Sequence, residues 1–238
     1  MPAAVPARAQ EAPGPGISAL QTMLGDRSPE IRVRAARALG RVGGRRAVQI
    51  LRRGLSDRTI AVRIAVIEAL GFIGGNLALT VLSEALEDRA PEIRIRAVEA
   101  LKDAGTVSAI PIIQKAFEDK ESSVRLHAAL MLRKIGHRSG VPVLGQAVLA
   151  DRDPSVRAAC ARHLGTLGVK DPRSVGILSQ VLTDDKSPAV RIRAVEALGF
   201  VQLPQAIPVL GTALADRDAG VRLHATEVMG RVLAKDFE

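Results

Sequence analysis

The chain has 238 residues, 34 Lys+Arg against 25 Asp+Glu and a formal net charge of +9, with 47% apolar and 25% charged residues. That is the balance of a folded chain rather than a disordered one. Trp and Tyr are absent, Phe occurs four times and Cys once, which excludes an aromatic core, an intrachain disulfide and a cysteine metal cage.

Residues 1–16 (MPAAVPARAQEAPGPG) carry four prolines and no periodicity, so they read as a disordered Ala/Pro-rich tail ahead of a single domain over 17–238. Ala7-Arg8-Ala9 resembles the end of a secretory signal, although no apolar stretch precedes it. Two localisations follow: cytoplasmic, or exported and periplasmic if these residues are the remnant of a signal peptide. No apolar run approaches the roughly 18 residues of a membrane span.

From residue 17 onward the chain repeats itself. An aspartate is followed six residues later by an arginine in Asp26…Arg32, Asp57…Arg63, Asp88…Arg94, Asp119…Arg125, Asp151…Arg157, Asp185…Arg191 and Asp216…Arg222. The aspartates are 31, 31, 31, 32, 34 and 31 residues apart. Ile or Val precedes each arginine. Leu or Met stands seven residues after it (Leu39, Leu70, Leu101, Leu132, Leu164, Leu198, Met229), and small residues fill the slots between. This spacing predicts a helix with one apolar face. Ser28-Pro29, Asp153-Pro154 and Ser187-Pro188 predict capped starts, and Gly43, Gly74, Gly105, Gly136 and Gly168 predict the ends. A shorter helix is expected before the next aspartate, as over 47–55, 77–86, 109–117 and 206–214. One such pair cannot bury its own apolar face, whereas stacked pairs can. A larger echo lies on top: residues 93–128 match 190–225 at a constant offset of 97, as a duplicated two-repeat block would.

The paired helices and the D-x4-[VI]-R-x6-L frame resemble HEAT repeats, in particular the short form called PBS-lyase HEAT-like repeats. Seven copies are in phase over 17 to about 235. The resemblance implies an all-α fold, a right-handed α-α superhelix of about seven helix pairs. It also implies that the Asp and Arg ladders are structural, each Arg bonding an Asp of its own or the adjacent repeat, and that the second helix of each pair lines the concave surface. On that surface four rows are expected, one, two, five and nine residues after the ladder arginine. The first holds Val33, Ile64, Ile95, Leu126, Ala158, Ile192 and Leu223. The second holds Arg34, Ala65, Arg96, His127, Ala159, Arg193 and His224. The third holds Arg37, Glu68, Glu99, Leu130, Arg162, Glu196 and Glu227. The fourth holds Arg41, Phe72, Asp103, Lys134, Thr166, Phe200 and Arg231. Apolar, basic and acidic rows side by side suit a protein or peptide better than a polyanion, which favours one sign throughout.

The net charge is polarised. Residues 1–58 hold 11 basic and 4 acidic side chains, and the remainder 23 and 21. Arg34, Arg37, Arg41, Arg45, Arg46, Arg52 and Arg53 therefore form a candidate patch for an acidic partner, a nucleic acid or lipid headgroups. In the fifth repeat Cys160 and His163 replace small residues. Cys160 reads as a buried core residue, and His163 as a half-buried side chain bonded to a partner.

Catalytic sets are not visible. The pairs His127-Ala128, His137-Arg138, His163-Leu164 and His224-Ala225 contain none of the His-Glu pairs that hold iron in HEAT-like hydroxylases. No H-E-x-x-H, P-loop, G-x-S-x-G or dinucleotide fingerprint occurs. HEAT-like glycosylases stack damaged bases on aromatics that are largely missing here, so nucleic acid is disfavoured. The expectation is a non-enzymatic scaffold, without catalytic, metal or cofactor residues, that holds a protein or peptide on its concave face. The alternatives are an accessory factor of the bilin-lyase or chaperone kind, the only enzymatic reading and one resting on family resemblance, and anion or nucleic-acid binding at the arginine cluster.

Overall fold

The computed structural model describes residues 15–234 except positions 106 and 170. The expected tail thus lies outside the described residues up to position 14, while Pro15 and Gly16 already belong to the first helix. Fourteen α-helices and no strand occur among the described residues, as seven consecutive pairs. These are α1 (Pro15–Met23) with α2 (Pro29–Val42), α3 (Gly44–Gly54) with α4 (Ile60–Ile73), α5 (Gly75–Ala85) with α6 (Pro91–Ala104), and α7 (Ile110–Lys115) with α8 (Ser122–Ile135). The last three are α9 (Gly140–Ala150) with α10 (Pro154–Leu167), α11 (Pro172–Asp184) with α12 (Pro188–Phe200), and α13 (Ala206–Ala213) with α14 (Ala219–Ala234). The expected all-α solenoid of helix pairs is therefore what the chain forms. α7 is the shortest because single 3₁₀ turns at 107–109 and 116–118 complete it.

The pairs stack in two layers. Each even-numbered helix packs on the next even one and on its own odd partner, and contact within the odd layer is sparser. Small residues make the close approach possible. A Cβ on Gly40 would lie 2.9 Å from Ala69 Cβ, and one on Gly165 would lie 2.6 Å from Ala197 Cα. The even layer is the more tightly packed of the two; its open surface is termed the inner face and that of the odd layer the outer face. The repeated leucines Leu39, Leu70, Leu101, Leu132 and Leu164 are fully buried between the layers. They join one continuous aliphatic core that runs the length of the stack.

Local details depart from the sequence pattern. Among the three expected caps, only Asp153 accepts a bond from a helix N–H, that of Ser155. Ser28 and Ser187 make no side-chain cap, and the Ser28 hydroxyl donates to Glu30 instead. Gly43, Gly74 and Gly136 end their helices with φ near +70°. Gly105 and Gly168 do not adopt positive φ.

Candidate functional site

The Asp–Arg ladder is the scaffold on which the inner face is mounted. Each ladder aspartate sits in the turn between the two helices of its pair. Its Oδ1 accepts the N–H two residues on, as Asp57 does from Thr59 at 2.8 Å and Asp119 from Glu121 at 2.8 Å. Each arginine with a repeat after it then bonds in two directions. Its Nη1 donates to the main-chain carbonyl of its own aspartate: Arg32 to Asp26 at 3.0 Å, Arg125 to Asp119 at 2.9 Å. Its Nε and Nη2 form a fork on the carboxylate of the next repeat. Arg32 holds Asp57 at 2.7 and 2.9 Å, Arg94 holds Asp119 at 2.5 and 2.8 Å, and Arg125 holds Asp151 at 2.7 and 3.0 Å. Arg157 holds Asp185 at 2.6 and 3.0 Å, and Arg191 holds Asp216 at 2.8 Å through both nitrogens. Arg63 is the loosest: its Nε is 2.8 Å from Asp88 Oδ2 but poorly directed, and its Nη2 bond is 3.4 Å long. Burial opposes ionisation at Asp57, Asp119 and Asp185. The arginine bond and the turn N–H outweigh it and hold each carboxyl below the usual range. At Asp216 the Arg191 bond is the leading cause of the same lowering.

With the ladder fixing each even helix, four rows of side chains reach the inner face. The first row is not free surface: Val33, Ile64, Ile95, Leu126, Ala158 and Ile192 are half-buried against the core. Leu223 alone is open, at 59% exposure. The second and third rows pair with one another. Arg96 donates to Glu99 at 3.2 Å, and His127 Nε2 lies 3.6 Å from the same carboxylate. At the duplicated position Arg193 donates to Glu196 at 2.7 Å, and His224 Nε2 lies 4.0 Å away. Both histidines are oriented alike, with Nδ1 against the carbonyl of Ser123 at 2.8 Å and of Gly220 at 2.9 Å. The structure thus gathers two copies of an Arg–Glu–His group, each spread over two neighbouring repeats. Leu130 is half-buried at the third-row position where most other repeats carry charge.

The fourth row supplies the open apolar groups. Phe72 is 76% exposed and Phe200 54%. Phe72 borders a recess of about 350 Å³ lined by Ile67, Glu68, Gly71, Arg96, Glu99, Ala100 and Asp103. Phe200 borders a smaller one of about 50 Å³ with Gly199, Val228, Arg231 and Val232. The rows name Asp103 as an equivalent of Phe72, but only stacking brings it beside Phe72 of the preceding repeat. A larger cleft, about 610 Å³, lies elsewhere, between the charged turns of the third and fourth pairs around Arg94 and Asp119.

The arginine cluster is not one patch. Arg34, Arg37 and Arg41 are exposed on α2, in the inner layer, with Arg37 3.9 Å from Glu68. Arg45, Arg46, Arg52 and Arg53 belong to α3, in the outer layer, where Arg52 is already held by Glu84 at 2.8 Å. Cys160 is fully buried, and burial pushes its thiol well up, away from the reactive thiolate. His163 is also buried, not half-buried, and its Nδ1 has no hydrogen-bond partner. Burial, then Arg133 and Arg162, push its pKa down to about 4. Among the described residues no cluster of three or more His, Cys, Asp or Glu could hold a metal. No described helix is long and apolar enough to cross a membrane.

No curated protein matches this sequence. Several solved structures are similar to the chain. The complex of CpcE and CpcF of phycocyanin lyase from a Nostoc species is 20% identical, with a TM-score of 0.48 over 97% of this chain and 100% of that one. Human deoxyhypusine hydroxylase, in complex with glycerol, is 22% identical, with a TM-score of 0.46 over 92% and 86%. The YibA protein of Escherichia coli is 21% identical, with a TM-score of 0.48 over 90% and 92%. The family described as HEAT repeats matches residues 17–102, 79–148 and 141–230, and the chain belongs to the HEAT-repeat family.

Proposed function

We propose that this protein is a non-enzymatic scaffold that holds a protein or peptide segment along its inner face. The observation that carries the reading is the pair of exposed phenylalanines, Phe72 and Phe200, at the same position of the second and sixth repeats. The recess beside each carries an arginine and a glutamate, Arg96 and Glu99 beside Phe72 and Arg231 and Glu196 beside Phe200. Exposed aromatics framed by charged groups are the usual anchors of a protein interface. The two lie four pairs apart, roughly 32–40 Å at ordinary helix spacing. An extended segment of about 12 residues spans that distance. Arg34 and Arg41 of α2, which meet no carboxylate among the described residues, favour a segment that is acidic at the end lying over the first repeat.

A photoreactive phenylalanine analogue placed at 72 and 200 should crosslink a partner in cells. The same analogue at Gln49 and Leu77, exposed on the outer layer, should not. Arg96→Glu with Arg193→Glu should weaken the captured complex at least about tenfold. Equal crosslinking from both layers would remove the inner face from consideration. An acidic-ended partner loses affinity with added salt, and a salt-insensitive complex would argue against the assigned orientation.

A further inference from the structure

Six of the seven ladder arginines reach the aspartate of the next repeat, and the seventh does not. Arg222 makes the bond that every other arginine makes within its own repeat, Nη1 to the Asp216 carbonyl at 2.7 Å. It is therefore oriented as the others are. Its Nε and Nη2, which elsewhere grip the next aspartate, meet no acceptor among the described residues, and the side chain is exposed. At the opposite end Asp26 makes the same turn as every other ladder aspartate, Oδ1 accepting from Ser28 N–H at 2.8 Å. No arginine among the described residues reaches its carboxylate.

The apolar surface is incomplete in a matching way. The residue before the ladder arginine is fully buried in Val62, Ile93, Val124, Val156, Val190 and Val221, yet Ile31 is 39% exposed. Burial at that position therefore comes from the preceding repeat. The residue after the arginine is half-buried in six repeats and open at Leu223, so its cover comes from the following repeat. The close-approach glycine shows the same order. Gly40 meets Ala69, Gly71 meets Ala100 and Gly165 meets Ala197 across successive repeats. Gly230, at the same position of α14, has nothing within 4 Å. The first repeat carries the small residue this glycine would need, Ala38.

We propose that the face of α14 docks on the face of α2 in a second copy of this chain. Arg222 then grips Asp26 of that copy, and Gly230 seats against Ala38. The stack continues across the junction with the contacts it uses within the chain. Such an interface is head-to-tail, so it builds chains or rings rather than a two-fold dimer. It uses neither phenylalanine of the inner face and stands independently of the scaffold reading.

Sedimentation velocity across a concentration series tests this. The 238-residue chain should gain mass with concentration. Asp26→Asn, which keeps the turn's acceptor and removes its charge, and Arg222→Gln should each weaken association at least about tenfold with an unchanged melting temperature. A mixture of the two variants regains one intact junction, the Arg222 end of the first on the Asp26 end of the second. It should form 1:1 dimers and stop there. A chain that stays monomeric at 100-micromolar-scale concentration overturns the proposal. So does association that both substitutions leave unchanged, or a mixture that grows beyond dimers.

Discussion

Arg125 and Asp151 are 3% and 4% exposed, so neither side chain can fall back on water when its partner is lost. Arg125→Ala leaves a buried carboxylate and should cost about 3–5 kcal/mol in a urea titration. Arg222→Ala at the open end should cost less than about 1 kcal/mol. Legibility at this scale is uneven. The Asp-to-Arg spacing of six is plain in the sequence, and it fixes the bond from guanidinium to the carbonyl of its own turn. The carboxylate partner lies 25 to 28 residues further on and becomes adjacent only through stacking, so spacing alone leaves own and neighbouring repeat both open. His163 is a second case. It was expected to be bonded, yet its position faces the core, where repeats carry Ala, Met or Val. Its pKa, lowered from 6.5 to about 4, means the folded state holds the neutral ring. Protons bind the unfolded chain first as the pH falls below 6.5. Stability should therefore decline between pH 6.5 and 4 by up to roughly 3 kcal/mol and level off below. His163→Met, copying Met131 of the preceding repeat, should flatten that part of the pH–stability curve.

The helices themselves were readable because the apolar period, the turn residues and the small-residue slots agree. The starts of the short helices were less so. α3 and α5 begin at Gly44 and Gly75, earlier than the apolar pattern suggests, since exposed first turns carry no hydrophobic signal. At the Ser-Pro starts the proline marks the helix correctly, but a serine hydroxyl can also donate elsewhere, as Ser28 does to Glu30, so the cap itself is not fixed by residue type. Between helices the packing is close enough for single methyl groups to matter. Gly165→Ala puts a Cβ against the α12 backbone and should cost about 1–3 kcal/mol. Gly230→Ala, with open space around it, should raise helix stability by about 0.5–1 kcal/mol. In thermal melts of the two variants the signs should be opposite. The second substitution should also impair the proposed junction, because it fills the space that Ala38 of the second copy would enter.

In a stack where each pair touches only its neighbours, the same loss of buried surface has different consequences at different places. Leu132 lies fully buried at the fourth of seven pairs. Leu132→Ala should cost about 2–5 kcal/mol, and it weakens an interface that both halves of the chain depend on. Met229 occupies the same repeat position in α14 but is only partly buried, with neighbours on one side. Met229→Ala should free α13 and α14 locally and leave the first six pairs protected. Native-state hydrogen exchange distinguishes the two outcomes. The central substitution should lower protection of α6, α8 and α10 together, because one cooperative unit has lost its middle. The end substitution should lower protection in the last pair alone. Equal, chain-wide loss from both would mean that the stack unfolds as a single block, with coupling between pairs far stronger than nearest-neighbour contact supplies.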